Sequence, residues 1–120
     1  MKILLVEDHA VLAEMSCCVL RDLHGHEVEH AANGADALRR AERFSPDLML
    51  IDINLPDTDG YELAQRLRGN VAFEKSVLVA LTGWGNLVDE ARAKAAGFDA
   101  HFRKPMDFDL LPTLTRGSRA

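Results

Sequence analysis

The sequence predicts an α/β fold of five strand–helix alternations, with a parallel sheet covered by helices on both faces. Three observations carry this expectation. Short apolar runs recur as Ile3-Leu4-Leu5-Val6, Leu48-Met49-Leu50-Ile51 and Val77-Leu78-Val79-Ala80-Leu81, the pattern of strands buried on both faces. Between them, apolar residues return at helical spacing. Gly25, Pro46 and Gly97 then punctuate the helical stretches.

Each element follows in turn. Ile3-Leu4-Leu5-Val6 reads as a buried strand bounded by the charged pair Glu7-Asp8. From residue 9 to about 23, Val11, Leu12, Met15, Val19 and Leu20 recur at helical spacing, and Gly25 takes the position just past the helix end. Residues 27–32 alternate and read as a more exposed strand. Asn33-Gly34 opens a second helix with Ala37, Leu38, Ala41 and Phe44 on one face, and Pro46 stops it. The next buried strand ends on Asp52. Pro56, Asp57, Thr58, Asp59 and Gly60 form a loop, followed by a helix over about 61–67 with Leu63, Ala64 and Leu67 inward.

The fourth strand ends on Thr82, and Gly83-Trp84-Gly85-Asn86 makes a turn. An alanine-rich helix over 91–96 closes at Gly97. A short fifth strand over 100–103 leads to Lys104-Pro105. Asp107 is expected to cap a last helix with Phe108, Leu110, Leu111 and Leu114 on its apolar side. Residues 117–120 are expected to fray.

Composition agrees with one ordinary globular domain. The chain has 120 residues, of which 48% are hydrophobic and 28% charged. With 14 Lys and Arg against 19 Asp and Glu, the net charge of −5 argues against nucleic acid as a direct partner and against a basic membrane patch. It leaves cations as ligands. Cys17 and Cys18 are adjacent, which suits neither an ordinary disulfide nor a zinc site, so a reducing cytoplasm is expected. No apolar run is long enough to span a membrane, and the first apolar run is too short for a signal peptide. His24, His26 and His30 are too loosely spaced to suggest a metal site.

The chemistry gathers at the carboxyl ends of the strands, where open parallel sheets bind ligands. Glu7 and Asp8 follow the first strand, Asp52 the third, Thr82 and Gly83 the fourth and Lys104 the fifth, while the second strand offers nothing comparably charged. Each has a plainer explanation alone: a helix cap, a turn, a surface lysine. Their coincidence at one sheet end favours function. Three carboxylates repel one another, and a hard divalent cation such as magnesium, manganese or calcium resolves that repulsion through oxygen ligands. A lysine and a hydroxyl beside them suit a phosphoryl group. The set reads as a magnesium-dependent phosphoryl site.

Together these pieces resemble a bacterial two-component response-regulator receiver domain, CheY-like and of a type also found in hybrid sensor kinases. The matching segments are Ile3-Leu4-Leu5-Val6-Glu7-Asp8, Pro46-Asp47-Leu48-Met49-Leu50-Ile51-Asp52, Leu55-Pro56-Asp57-Thr58-Asp59-Gly60, Ala80-Leu81-Thr82-Gly83 and Lys104-Pro105. The resemblance covers about residues 2–115 of a single domain spanning 1–120, and implies the flavodoxin-like fold with strand order 2-1-3-4-5. It implies Asp52 as phosphoacceptor from a phosphohistidine of a histidine kinase or histidine phosphotransfer domain. Asp8 and Asp52 would hold Mg2+ directly, Glu7 through water and Asn54 through its backbone carbonyl. Lys104, Thr82 and Gly83 would contact the phosphoryl oxygens, and Pro105 would follow a cis peptide bond. A downstream protein would read the face of the fourth helix, fifth strand and fifth helix.

One position departs from the resemblance. The switch aromatic of many receivers lies three residues before the lysine, where this chain has His101; Phe102 should face the other side of the strand. His101 either swings with Thr82, titrates near neutral pH, or stays as a static edge residue. Trp84 is expected at the mouth of the site, limiting water access to an acyl phosphate. With nothing recognisable after the fifth helix, the chain is expected to serve as a standalone regulator, a relay intermediate or a piece of a hybrid kinase. Two other readings stand beside this one. A receiver-like interaction module that is never phosphorylated usually lacks an acid or the lysine. A small magnesium-dependent phosphatase with an aspartyl phosphate intermediate usually carries a second acid where this chain has Asn54.

Overall fold

The computed structural model describes residues 1–83 and 89–116. Its centre is a five-stranded parallel sheet in the order β2-β1-β3-β4-β5. The strands are β1 (Lys2–Val6), β2 (Glu27–Ala31), β3 (Leu48–Asp52), β4 (Val77–Thr82) and β5 (Ala100–Arg103). The helices are α1 (Ala10–Cys18), α2 (Gly34–Phe44), α3 (Gly60–Arg68) and α4 (Glu90–Ala96). This is the expected flavodoxin-like order.

Alternation along the strands divides the core in two, because successive side chains point to opposite faces. Leu4, Val6, Met49, Ile51, Leu78 and Ala80 pack with α2, α3 and α4. Ile3, Leu5, Leu48, Leu50, Val79 and Leu81 pack with α1 and the C-terminal segment. Residues that look uniformly apolar in sequence thus serve two layers.

The helix starts are set locally. The side chains of His9, Asn33, Asp59 and Asp89 accept the backbone N–H of Leu12, Asp36, Glu62 and Arg92. Gly25, at φ +70°, follows the first helical stretch as expected, and Gly97 closes α4.

Two expectations need correction. The first helical stretch ends in a π-helical turn, Val19–Leu23, and of Val11, Leu12, Met15, Val19 and Leu20 only Leu20 is buried. Val11 and Met15 are each 60% exposed, and Ala13 and Cys17 face the sheet instead. The stretch carries two apolar stripes, and the smaller side chains let the helix approach the sheet closely. The second correction concerns the last helix. Asp107 does cap it, but Phe108–Thr113 is a 3₁₀ helix containing Pro112. Proline has no N–H to donate and its ring clashes with the carbonyl four residues back, so an α-helix cannot run through it. Leu111 is buried, Phe108 and Leu114 are half-buried, and Leu110 is exposed.

Trp84, the expected Gly85-Asn86 turn and the expected tail over 117–120 lie outside the described residues.

Candidate functional site

The residues singled out at the strand ends meet in space. Asp52 is the last residue of β3 and Thr82 the last of β4. Both are buried, as is Glu7, whereas Asp8 is exposed. Gly83 is half-buried at the end of β4. The Lys104 N–H donates to the Thr82 carbonyl at 2.7 Å, and the Lys104–Pro105 bond is cis, as the resemblance implied.

Lys104 is the hub of the cluster. Its Nζ donates to Glu7 Oε1 at 2.5 Å and to Asp52 Oδ2 at 2.8 Å. The other oxygen of Asp52, Oδ1, accepts the N–H of Asn54 at 2.9 Å. Glu7 Oε2 accepts the N–H of His9 at 3.3 Å. Among the described residues, the Asp8 carboxylate takes no hydrogen bond. One oxygen from each of Glu7, Asp8 and Asp52 lies within 4.8 Å of the others.

Charge is unevenly balanced here. Burial pushes the Glu7 carboxyl above its usual value; the ammonium of Lys104 pulls it back, and the neighbouring Asp52 adds to the rise. Burial alone would lower Lys104, but its hydrogen bonds to Asp52 and Glu7 outweigh this and hold it protonated above its usual value. Three acids against one half-buried lysine, the acids offering only oxygen ligands, fit a hard divalent cation such as Mg2+.

Gly60 shapes the floor. Its N–H donates to the Ile53 carbonyl at 2.7 Å, and a Cβ there would lie 2.8 Å from the Asp52 carbonyl oxygen. Glycine therefore lets the start of α3 close under the strand that carries Asp52.

Beside the site, the exposed stripe of α1 borders an apolar groove of about 520 Å3. Leu12, Met15, Val19, Met106 and Phe108 line it, and Lys104 and Glu7 stand at its polar end.

His101 pairs with Ala80 in the sheet and is half-buried, with Nε2 3.7 Å from Glu90 Oε1 at the start of α4. Phe102 packs into the opposite core layer, as alternation required. The loosely spaced histidines do not converge. His24 stacks on His26, whose Nδ1 lies 3.2 Å from the amino terminus. His30 instead reaches the Glu7 carbonyl, Nε2 to O 2.6 Å. The contribution of β2 to the site was missed in the sequence, because β2 ends in no charged residue and alternation says nothing about side-chain reach.

A doubly wound sheet with an acidic cluster and a lysine at its carboxyl edge defines a class of α/β modules whose charged site lies at the strand ends. The comparisons narrow it: the chain belongs to the response regulator receiver domain family, whose description matches residues 3–116. It is 33% identical over 114 residues to the response regulator Rre1 of Synechocystis, covering 95% of this chain and 49% of that protein. The chain thus spans about half the length of that relative. It is 32% identical over 107 residues to the polar-differentiation response regulator DivK of Brucella anthropi, covering 87% of this chain and 84% of that protein. Among solved structures, the chemotaxis response regulator CheY4 of Vibrio cholerae superposes with a TM-score of 0.82 at 30% identity, covering 93% of each chain. Receiver domains interact with histidine kinases or phosphotransfer proteins and with downstream targets. Among the described residues, no helix is long and apolar enough to cross a membrane.

Proposed function

We propose that this chain is a phosphoacceptor module of a two-component phosphorelay, and that Asp52 receives the phosphoryl group from a phosphohistidine of a histidine kinase or histidine phosphotransfer domain. The observation that carries the reading is the way the Asp52 carboxylate is held. Oδ1 is anchored by the Asn54 N–H and Oδ2 by Lys104, among two further acids at the open edge of the sheet.

In this reading an Asp52 oxygen attacks phosphorus in line. The P–N bond breaks, and the donor imidazole nitrogen keeps the electron pair. Little covalent chemistry is asked of the protein, so positioning and charge neutralisation do most of the work. Asp8, Asp52 and the Asn54 carbonyl, with Glu7 through water, would hold Mg2+, which would supply positive charge to offset the phosphoryl oxygens. Lys104 turns part of its hydrogen bonding from the acids to the phosphoryl group. The Thr82 hydroxyl and the Gly83 N–H donate to the remaining oxygens.

The acyl phosphate adds charge beside Thr82, which pairs with Arg103 of β5, two residues beyond His101. Thr82 and His101 then act as the switch pair, and the readout surface is α4, β5 and the C-terminal 3₁₀ helix. The reaction is stoichiometric rather than enzymatic turnover, and it belongs in the cytoplasm. The 120 residues act as one unit, whether alone or within a longer protein.

The test is intact mass after incubation with Mg2+ and acetyl phosphate. The wild type gains one base-labile phosphoryl group and Asp52→Asn gains none. An adduct that persists on Asp52→Asn overturns the assignment. No adduct from acetyl phosphate or from phosphohistidine donors shifts the reading to an unphosphorylated interaction module.

A further inference from the structure

We propose that His30 is a positioning residue for the carboxylates of Glu7 and Asp8, acting through the Glu7 backbone carbonyl. The inference rests on the phosphoacceptor reading of the acidic cluster.

His30 lies on β2, an edge strand of the sheet. The β1–β2 register ends at Val6 and Ala31. The ladder runs one half-step further, as the Glu7 N–H donates to the Ala31 carbonyl at 3.0 Å. Beyond that the β2 chain turns away, because Asn33 caps α2. Among the described residues, no backbone N–H reaches the Glu7 carbonyl. The His30 imidazole takes that place, Nε2 to O 2.6 Å. A carbonyl oxygen only accepts, so Nε2 carries the hydrogen.

The consequence follows from peptide planarity. The Glu7 carbonyl belongs to the rigid plane that joins Glu7 to Asp8. Holding the Ala31-bound N–H on one side of Glu7 and the His30-bound carbonyl on the other leaves little freedom at the Glu7 backbone. It also sets the direction in which Asp8 leaves the strand. The Glu7 carboxylate has further restraints in Lys104 and the His9 N–H. Among the described residues the Asp8 carboxylate has none, so its place within 4.8 Å of the other two acids depends on the backbone beneath it. Three acids repel one another, and without that restraint Asp8 is free to swing toward solvent. The hydrogen bond from β2 therefore preorganises the cation ligands before any cation arrives.

The experiment compares Mg2+ affinity by isothermal titration calorimetry in wild type, His30→Leu, His30→Gln and Asp8→Asn. Gln carries its amide nitrogen the same number of bonds from Cβ as His carries Nε2, so it restores the donor. His30→Leu should weaken Mg2+ binding about 10-fold, the scale usual for supports behind metal ligands. His30→Gln should stay close to wild type. At saturating Mg2+ the rate of phosphorylation by acetyl phosphate in His30→Leu should return to the wild-type rate. Thermal unfolding in chelator checks that the variants are folded, and His30→Thr, too short to reach Glu7, repeats the measurement in a strand-forming side chain. Unchanged affinity in folded His30→Leu or His30→Thr overturns the His30 role alone, as does an equal loss in His30→Gln. A wild type that binds no Mg2+ overturns the reading of the acidic site, and the His30 role with it.

Discussion

Two ionic clusters sit at opposite ends of the same sheet, and they are balanced in opposite ways. Ahead of β5, the buried Asp99 accepts from Arg68 at 2.7 Å, from the Leu78 N–H at 2.9 Å, and from Arg116. Arg68 spends its other donors on the carbonyls of Gly97 at 2.9 Å and of Phe73 and Ser76 at 2.8 Å. Burial lowers the Arg68 pKa, and attraction to Asp99 offsets part of that. One acid meets two guanidinium groups, and the surrounding backbone completes the network. At the carboxyl edge, three acids stand together and the lysine beside them bonds two, Glu7 and Asp52, while burial pushes Glu7 up. The first cluster is closed and holds α3, β4 and β5 together. The second is left short of positive charge, and in the proposed reading that deficit suits a divalent cation, whose charge would in turn accommodate a phosphoryl group.

The comparison breaks most easily at the closed end. Asp99→Ala strands Arg68 in the core, and removing one partner of a buried pair costs about 3–5 kcal/mol. Urea unfolding measures this, and a loss below about 1 kcal/mol would mean that the network is not structural. The open end should respond to ligand instead. Mg2+ at ten times its Kd should stabilise the wild type by about 1.4 kcal/mol through mass action. Asp8→Asn should lose that gain, yet in chelator should be slightly more stable than wild type, by under about 1 kcal/mol, because one uncompensated charge is gone. Stabilisation of Asp8→Asn by Mg2+ equal to that of wild type would contradict the contrast.

The smallest effects concern pH, and here the signs differ. Hydrogen bonds from Arg40, with Arg39 adding to them, hold Asp36 below its usual 3.8. A depressed acid contributes stability above its unfolded pKa and loses it as pH falls further. Glu7 is raised from 4.5, so in cation-free protein its contribution improves as pH falls through the raised value toward 4.5. Asp36→Asn should flatten the stability curve below about pH 3.8, by less than about 1 kcal/mol since its partners are largely exposed. Glu7→Gln should flatten it above pH 4.5. Chemical denaturation across pH in chelator reads both, and a single common sign would refute the assignment.

Much of this was legible in the sequence because the signals are local. Asp52 and Thr82 end apolar runs, so a strand-end rule finds them without knowledge of the fold. The caps at Asn33 and Asp107 and the stop at Pro46 act within a few residues. The face of α1 was not legible, since Leu12, Met15 and Val19 obey helical spacing as well as Ala13, Cys17 and Leu20 do. Only contact with the sheet separates the two stripes. His30 and the Arg68–Asp99–Arg116 network were also hidden, because nothing near them in the chain signals a partner.

By itself, then, the sequence determined the order of elements, the alternation that splits the core into two layers, and the residues delivered to the carboxyl edge. These follow from periodicity, capping and punctuation, which are properties of short segments. Tertiary structure decided which stripe of α1 is buried and which charges are shared. Lys104 meets Glu7 across 97 residues and Asp52 across 52, and Arg68 meets Asp99 across 31. Such pairs exist only once the sheet has set its strands side by side, so the balance of charge at each end belongs to the fold as a whole.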